Sequence, residues 1–97
     1  MSKDAIKNRL KKSKAEIHER FHVKELGLFG SFVRNEQTKS SDLDVLVDFE
    51  KPIGWDVVDL QEHLEKLLGV KVDLVLKKGI MRNKKLWNVI KDEILYV

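Results

Sequence analysis

The chain has 97 residues, a net charge of +3 and 42% hydrophobic residues, which is typical of a single soluble domain over residues 1–97. The absence of cysteine excludes a disulfide framework and a thiolate metal site. No apolar run approaches the roughly 18 residues of a membrane span, and the N-terminus has no apolar signal core, so we expect a cytoplasmic protein without a membrane partner.

The first third of the chain predicts a helix, a strand and a turn. Apolar residues at helical spacing predict a helix over Lys3 to Arg20, and an apolar segment predicts a strand over Val23–Phe29. Gly30 and Ser31 then form a sharp turn, and we expect Ser31 to cap a short helix through Arg34. Glycine admits a close backbone approach and a helix N-terminus presents free N–H groups, so this turn is suited to holding a phosphate.

The remaining elements alternate between strand and helix, separated by a polar loop at 34–41 and a turn at 51–54. They are a strand over Asp42–Phe49, a helix that Asp56 caps and Gly69 ends, a strand over Val70–Leu76, a helix over Met81–Asp92 and a short edge strand at Glu93–Val97. This order predicts a small α/β (α+β) domain in which helices flank a mixed β-sheet.

Aspartates accompany two of the predicted strands. Asp42 and Asp44 lie two apart, so both carboxylates project from one face, about 7 Å apart at Cα. Asp73 lies in another apolar run, where a lone charge is costly to bury. Mg²⁺ would relieve the repulsion between the carboxylates, since it prefers hard oxygen ligands shared with phosphates. Asp48 has the same parity but lies about 13 Å from Asp44, so we interpret it as a surface residue.

The aspartates and the glycine–serine turn together form a recognisable signature. Residues 28–47 contain G-S, ten residues and D-x-D, which closely resembles the minimal nucleotidyltransferase (MNT) family of the polymerase-beta-like nucleotidyltransferase superfamily. Residues 67–75 resemble the strand of that family that carries a third carboxylate. Asn35 departs from the pattern, because many members have glycine after the arginine.

The resemblance implies a polymerase-beta-like fold and transfer of AMP from ATP, with two Mg²⁺ ions as cofactors. It assigns catalysis and metal binding to Asp42, Asp44 and Asp73. It assigns nucleotide binding to Gly30, Ser31 and Arg34. It also implies the role of an antitoxin beside a HEPN-type toxin, since some similar MNT proteins transfer AMP to a tyrosine of that toxin.

The acceptor of the AMP group is expected to be another protein, because the chain has no spare length for an acceptor-binding domain. Two alternatives stay open. One is a non-catalytic antitoxin or binding module that acts by occlusion. The other, which we favour less, is a nucleic-acid-binding domain that uses the basic N-terminal helix and whose binding weakens steeply with salt.

Overall fold

The computed structural model describes residues 2–52 and 54–97, and this part of the chain forms four α-helices and four β-strands. In chain order they are α1 (Lys3–Phe21), β1 (Val23–Phe29), β2 (Leu43–Phe49), α2 (Asp56–Leu68), β3 (Val72–Leu76), α3 (Lys77–Met81), α4 (Lys84–Ile90) and β4 (Leu95–Tyr96). None of the helices in these residues is long and apolar enough to span a membrane. Ile53, in the predicted turn at 51–54, lies outside the described residues.

The four strands form one mixed sheet in the order β3-β2-β1-β4. β1 runs antiparallel to both of its neighbours, β2 and β4, whereas β3 runs parallel to β2. The parallel pair requires a crossover connection, which α2 provides. The mixed sheet with flanking helices that the sequence predicts is therefore confirmed.

Each face of the sheet is covered by a different pair of helices. The main core lies between one face and helices α1 and α2; it includes Leu43, Val45, Val47 and Phe49 of β2. Intervening residues of β2 point to the other face, where Leu46 packs with Phe29 and with Ile90 of α4. Asp44 has the parity of Leu46 and therefore projects from this second face.

The structure corrects three local predictions. Trp55, and not Asp56, is the N-terminal cap residue of α2, and it makes no side-chain capping bond. The helix predicted over 81–92 is shorter in the structure. It is α4, which begins at Lys84 because the Asn83 side chain accepts a hydrogen bond from the Leu86 N–H at 3.1 Å, and a separate helix, α3, precedes it. Asp48 is only 9% exposed rather than on the surface, because α3 packs over β2 on the second face.

Candidate active site

A row of charged side chains crosses one end of the sheet. Asp44 of β2 pairs in register with Asp73 of β3 on one side and with Phe29 of β1 on the other. Asp42 lies just before the first residue of β2, one residue outside the strand. The structure therefore brings Asp44 and Asp73 together as neighbours, with Asp42 beside them.

The three aspartates differ in their exposure to solvent. Asp44 is half-buried, whereas Asp42 and Asp73 are exposed. Asp73 avoids the cost of burial within its apolar run, because β3 is an edge strand of the sheet. The cost of burying a carboxylate falls on Asp44 instead.

The electrostatics of Asp44 reflect its burial and its charged neighbours. Burial raises the pKa of Asp44 to about 6, and the negative charges of Asp73 and Asp42 contribute in the same direction. The positive charge of Arg34 opposes the shift in this pKa. A nearby cation would therefore favour the charged form of Asp44.

The donor set fits a hard divalent cation that shares its coordination with a ligand. No three carboxylate or histidine groups within residues 2–52 and 54–97 converge into a ready-made metal cage. Mg²⁺ seldom needs such a cage, because it usually binds one or two carboxylates together with waters and substrate phosphates. The Asp44–Asp73 pair, with its mutual repulsion, meets that requirement.

Gly30 lies directly against the Asp44 carboxylate. Its φ is +82°, in the left-handed region that favours glycine. A Cβ atom at this position would overlap Oδ2 of Asp44. Two separate reasons therefore favour glycine at this position: the left-handed backbone conformation and the close approach to the carboxylate.

The segment after Gly30 is a turn, and the short helix predicted from Ser31 is absent from it. The backbone N–H groups of Val33 and Arg34 both donate to the Gly30 carbonyl, at 3.1 and 3.2 Å. Asn35 then adopts a left-handed conformation with φ 58°, which ends the turn before a helix can form. Asparagine tolerates this conformation better than most residues, which explains why it can stand where similar sequences have glycine.

Arg34 and Gly30 share a partner that the sequence analysis did not identify. Both carboxylate oxygens of Glu93 accept from Nη1 of Arg34 at 3.1 Å, and Oε1 also accepts from the Gly30 N–H at 3.2 Å. The register between β1 and β4 could have predicted this contact. Leu28 pairs with Leu95 in β4, so extending the antiparallel pairing by two residues places Glu93 beside Gly30.

Two surface cavities lie at different distances from this site. The larger, about 1060 Å³, lies between α1 and the edge of β1, at the end of β1 opposite Gly30, and none of the three aspartates lines it. A more polar groove of about 760 Å³ runs beside Asp42 and is lined by the loop at 37–41 and by residues 69–71. Of the three aspartates, Asp42 alone lines this second groove.

Comparison with known proteins gives a consistent set of relatives. The family profile described as "Nucleotidyltransferase domain" matches residues 10–97. "Protein adenylyltransferase MntA" of Thermococcus cleftensis is 42% identical over 97% of this chain and 94% of that protein. "Putative protein adenylyltransferase MJ0128" of Methanocaldococcus jannaschii is 43% identical over 95% of this chain and 94% of that protein. A solved structure described as "Structure of putative minimal nucleotidyltransferase" superposes with a TM-score of 0.68 and 35% identity, over 81% of each chain.

Replacing Gly30 by alanine tests the close approach to Asp44. We expect Gly30→Ala to lower the free energy of unfolding by about 1–3 kcal/mol, because the new Cβ meets a carboxylate and a strained φ. The matched control is Gly54→Ala, where a Cβ would enter open space, and where a change of less than about 0.5 kcal/mol is expected. Urea unfolding measures both, and equal stability of the two variants would contradict this account.

The raised pKa of Asp44 predicts a pH-dependent stability of the metal-free protein. Because the folded-state pKa of about 6 exceeds the ordinary value of 3.8, the stability linked to protonated Asp44 is complete below about pH 4 and is lost as the pH rises through 6. After discounting for solvent screening, Asp44→Asn should raise the melting temperature by on the order of 5 °C at pH 7.5.

The rise in melting temperature caused by Asp44→Asn should disappear at pH 4, where wild-type Asp44 is also largely neutral. The exposed residue Asp92 provides the control, since Asp92→Asn should change the melting temperature at neither pH. Scanning calorimetry in EDTA at both pH values measures these differences. A stabilisation by Asp44→Asn that is the same at pH 4 and pH 7.5 would refute the electrostatic explanation.

Proposed function

The chain belongs to the nucleotidyltransferase domain family, and on that premise we propose that it transfers AMP from ATP to a hydroxyl group of a partner protein. The observation that carries the proposal is the contact between the Gly30 turn and the Asp44–Asp73 pair. A turn suited to phosphate lies directly against carboxylates suited to a metal. The names of the relatives, which specify protein adenylyltransferases, support a protein as the acceptor.

The proposed cofactor is a pair of Mg²⁺ ions held by the aspartates. When bound, the two ions supply positive charge to the attacking and leaving oxygens of the phosphoryl transfer. Asp42 and Asp44 would hold both ions, and Asp73 would hold the ion on the side of the attacking hydroxyl. The register pairing of Asp44 with Asp73 supports joint metal binding, since the two residues lie side by side at one end of the sheet.

The remaining residues of the site would hold the nucleotide. Gly30 lets the backbone approach the β- and γ-phosphates without a side chain in the way, and the Ser31 hydroxyl and backbone N–H donate to them. Arg34 adds positive charge close enough to act on Asp44. Together these groups would fix the triphosphate while the α-phosphorus faces the aspartates.

The reaction is a single displacement at the α-phosphorus. The acceptor oxygen forms a bond to this phosphorus, the bond from the phosphorus to the oxygen that leads to the β-phosphate breaks, and pyrophosphate leaves. Asp73 accepts the proton of the attacking hydroxyl. Most of the rate enhancement would come from positioning and charge stabilisation, as in other phosphoryl transfers.

We further propose that the acceptor is a HEPN-type toxin, and that this chain is its antitoxin. This part rests on the resemblance to the MNT family. The toxin and this chain would act together in the cytoplasm, where ATP and Mg²⁺ are supplied. The polar groove beside Asp42 would be the surface on which the acceptor approaches the site.

Transfer of label distinguishes the proposed enzyme from an occluding partner. With Mg²⁺ and the proposed HEPN-type toxin, label from α-labelled ATP should enter the toxin and label from γ-labelled ATP should not. Asp44→Asn should reduce transfer at least about 100-fold, because it removes charge stabilisation at the reacting phosphate. Exposed Asp59, outside the site, supplies the control variant Asp59→Asn, which should transfer normally.

The rival explanation has its own outcome in the same assay. If Asp42→Asn/Asp44→Asn neutralises the toxin as well as the wild type does, and the toxin gains no mass, the chain acts by occlusion and the catalytic proposal is wrong.

Binding of ATP should stabilise the folded protein. A ligand that binds only the native state, at about 100 times its Kd, adds about 2.7 kcal/mol to the free energy of unfolding. We expect a corresponding rise in melting temperature with ATP and Mg²⁺, which shrinks in EDTA and in Ser31→Ala. A rise that is unaffected by both changes would place the bound ATP elsewhere, for example on the basic helix α1.

A further inference from the structure

Glu93 ties the C-terminal segment to the turn of the proposed nucleotide site. It lies two residues before β4, and its side chain is only 23% exposed. Its carboxylate contacts two groups that are distant in sequence, the Gly30 N–H and Nη1 of Arg34. Both contacts are charge-assisted hydrogen bonds, which are stronger than neutral ones.

The contacts of Arg34 fix the orientation of its guanidinium group. Nη1 contacts Glu93, and Nε lies 3.3 Å from Oε1 of Glu36 on the other side. The guanidinium group is planar and carries five N–H donors, so these two contacts leave the donors of Nη2 for a ligand. An arginine without such partners would spread over many rotamers and would lose that freedom on binding a phosphate.

We propose that Glu93 is a positioning residue for the nucleotide, an inference that rests on the proposed function. It holds Arg34 and the Gly30 turn in the arrangement that receives the triphosphate, and it acts through Arg34. Because Glu93 already accepts from the Gly30 N–H, the contribution of Gly30 to phosphate binding is the space it leaves, and the Ser31 donors make the contacts.

Glu93 could instead weaken nucleotide binding, and this effect would give a different experimental result. A carboxylate on the donors of the turn could compete with the phosphates, and its removal would then strengthen ATP binding. The geometry favours positioning, because Glu93 uses only Nη1 of the arginine and leaves its Nη2 donors for the ligand. The two effects differ in sign, so one measurement separates them.

The experiment compares ATP binding in the presence of Mg²⁺ by calorimetry for the wild type, Glu93→Gln, Arg34→Ala and the double variant. Glutamine keeps an oxygen for the Gly30 N–H but loses the charge that holds Arg34. We expect Glu93→Gln to weaken ATP binding about 3- to 10-fold. In transfer assays KM for ATP should rise by a similar factor, while kcat changes less than about twofold.

The double variant tests whether Glu93 acts through Arg34. In the Arg34→Ala background, Glu93→Gln should weaken ATP binding no further. The matched control is Glu25→Gln, which breaks a 2.7 Å ion pair with Lys77 at the other end of the same sheet face and should leave ATP affinity unchanged. If Glu93→Gln does not fold, Glu93→Asp replaces it, since the shorter side chain cannot reach both partners.

Each outcome decides the proposal. Tighter or unchanged ATP binding by Glu93→Gln overturns it, as does an equal loss in the presence and absence of Arg34, which would indicate a general structural role. A wild-type protein that does not bind ATP overturns the proposed function and this inference with it. Normal binding by the wild type with no effect of Glu93 overturns the inference alone.

Discussion

The pairing of Asp44 with Asp73 is the constraint on which the site depends. Two carboxylates occupy register positions on adjacent parallel strands, and one of them is half-buried. The sheet cannot separate them, because the main core fixes β2 between β1 and β3. The repulsion is therefore built into the strand register, and a cation is the direct means of relieving it.

Negative charge is compensated differently at the two ends of the second sheet face, the face from which Asp44 projects. At the far end, Glu25 pairs in register with Asp48, and Lys77 lies 2.7 Å from the Glu25 carboxylate. At the site end, the cation beside Asp44 is Arg34, which is already paired with two glutamates. The protein thus supplies its own counter-ion at one end and leaves an excess of negative charge at the other. This asymmetry separates a structural acidic pair from one available to a ligand.

Local patterns in the sequence predicted most helices and strands and the grouping of the aspartates. They did not predict contacts between residues that are distant in the sequence. Strand periodicity was enough to place Asp44 on the face opposite the main core, since parity along a strand is a local property. The helix expected after Ser31 does not form, because Asn35 adopts a left-handed conformation. The identity of a single residue seldom predicts that conformation. Glu93 lies 63 positions from Gly30, so only the pairing of β1 with β4 reveals the contact.

Within the proposed function, the charge balance of the site implies that nucleotide and metal bind as one unit. The positive charge near Asp44 is that of Arg34, which Glu93 and Glu36 already offset, and Asp42 and Asp73 add negative charge beside Asp44. A triphosphate adds further negative charge, so the protein groups alone would repel it. A divalent cation reverses that sign for the carboxylates and the phosphates together. By linkage, each ligand then raises the affinity of the other by the same factor. Within the proposed function, the excess of carboxylates would therefore select for a metal-bound nucleotide over a free one.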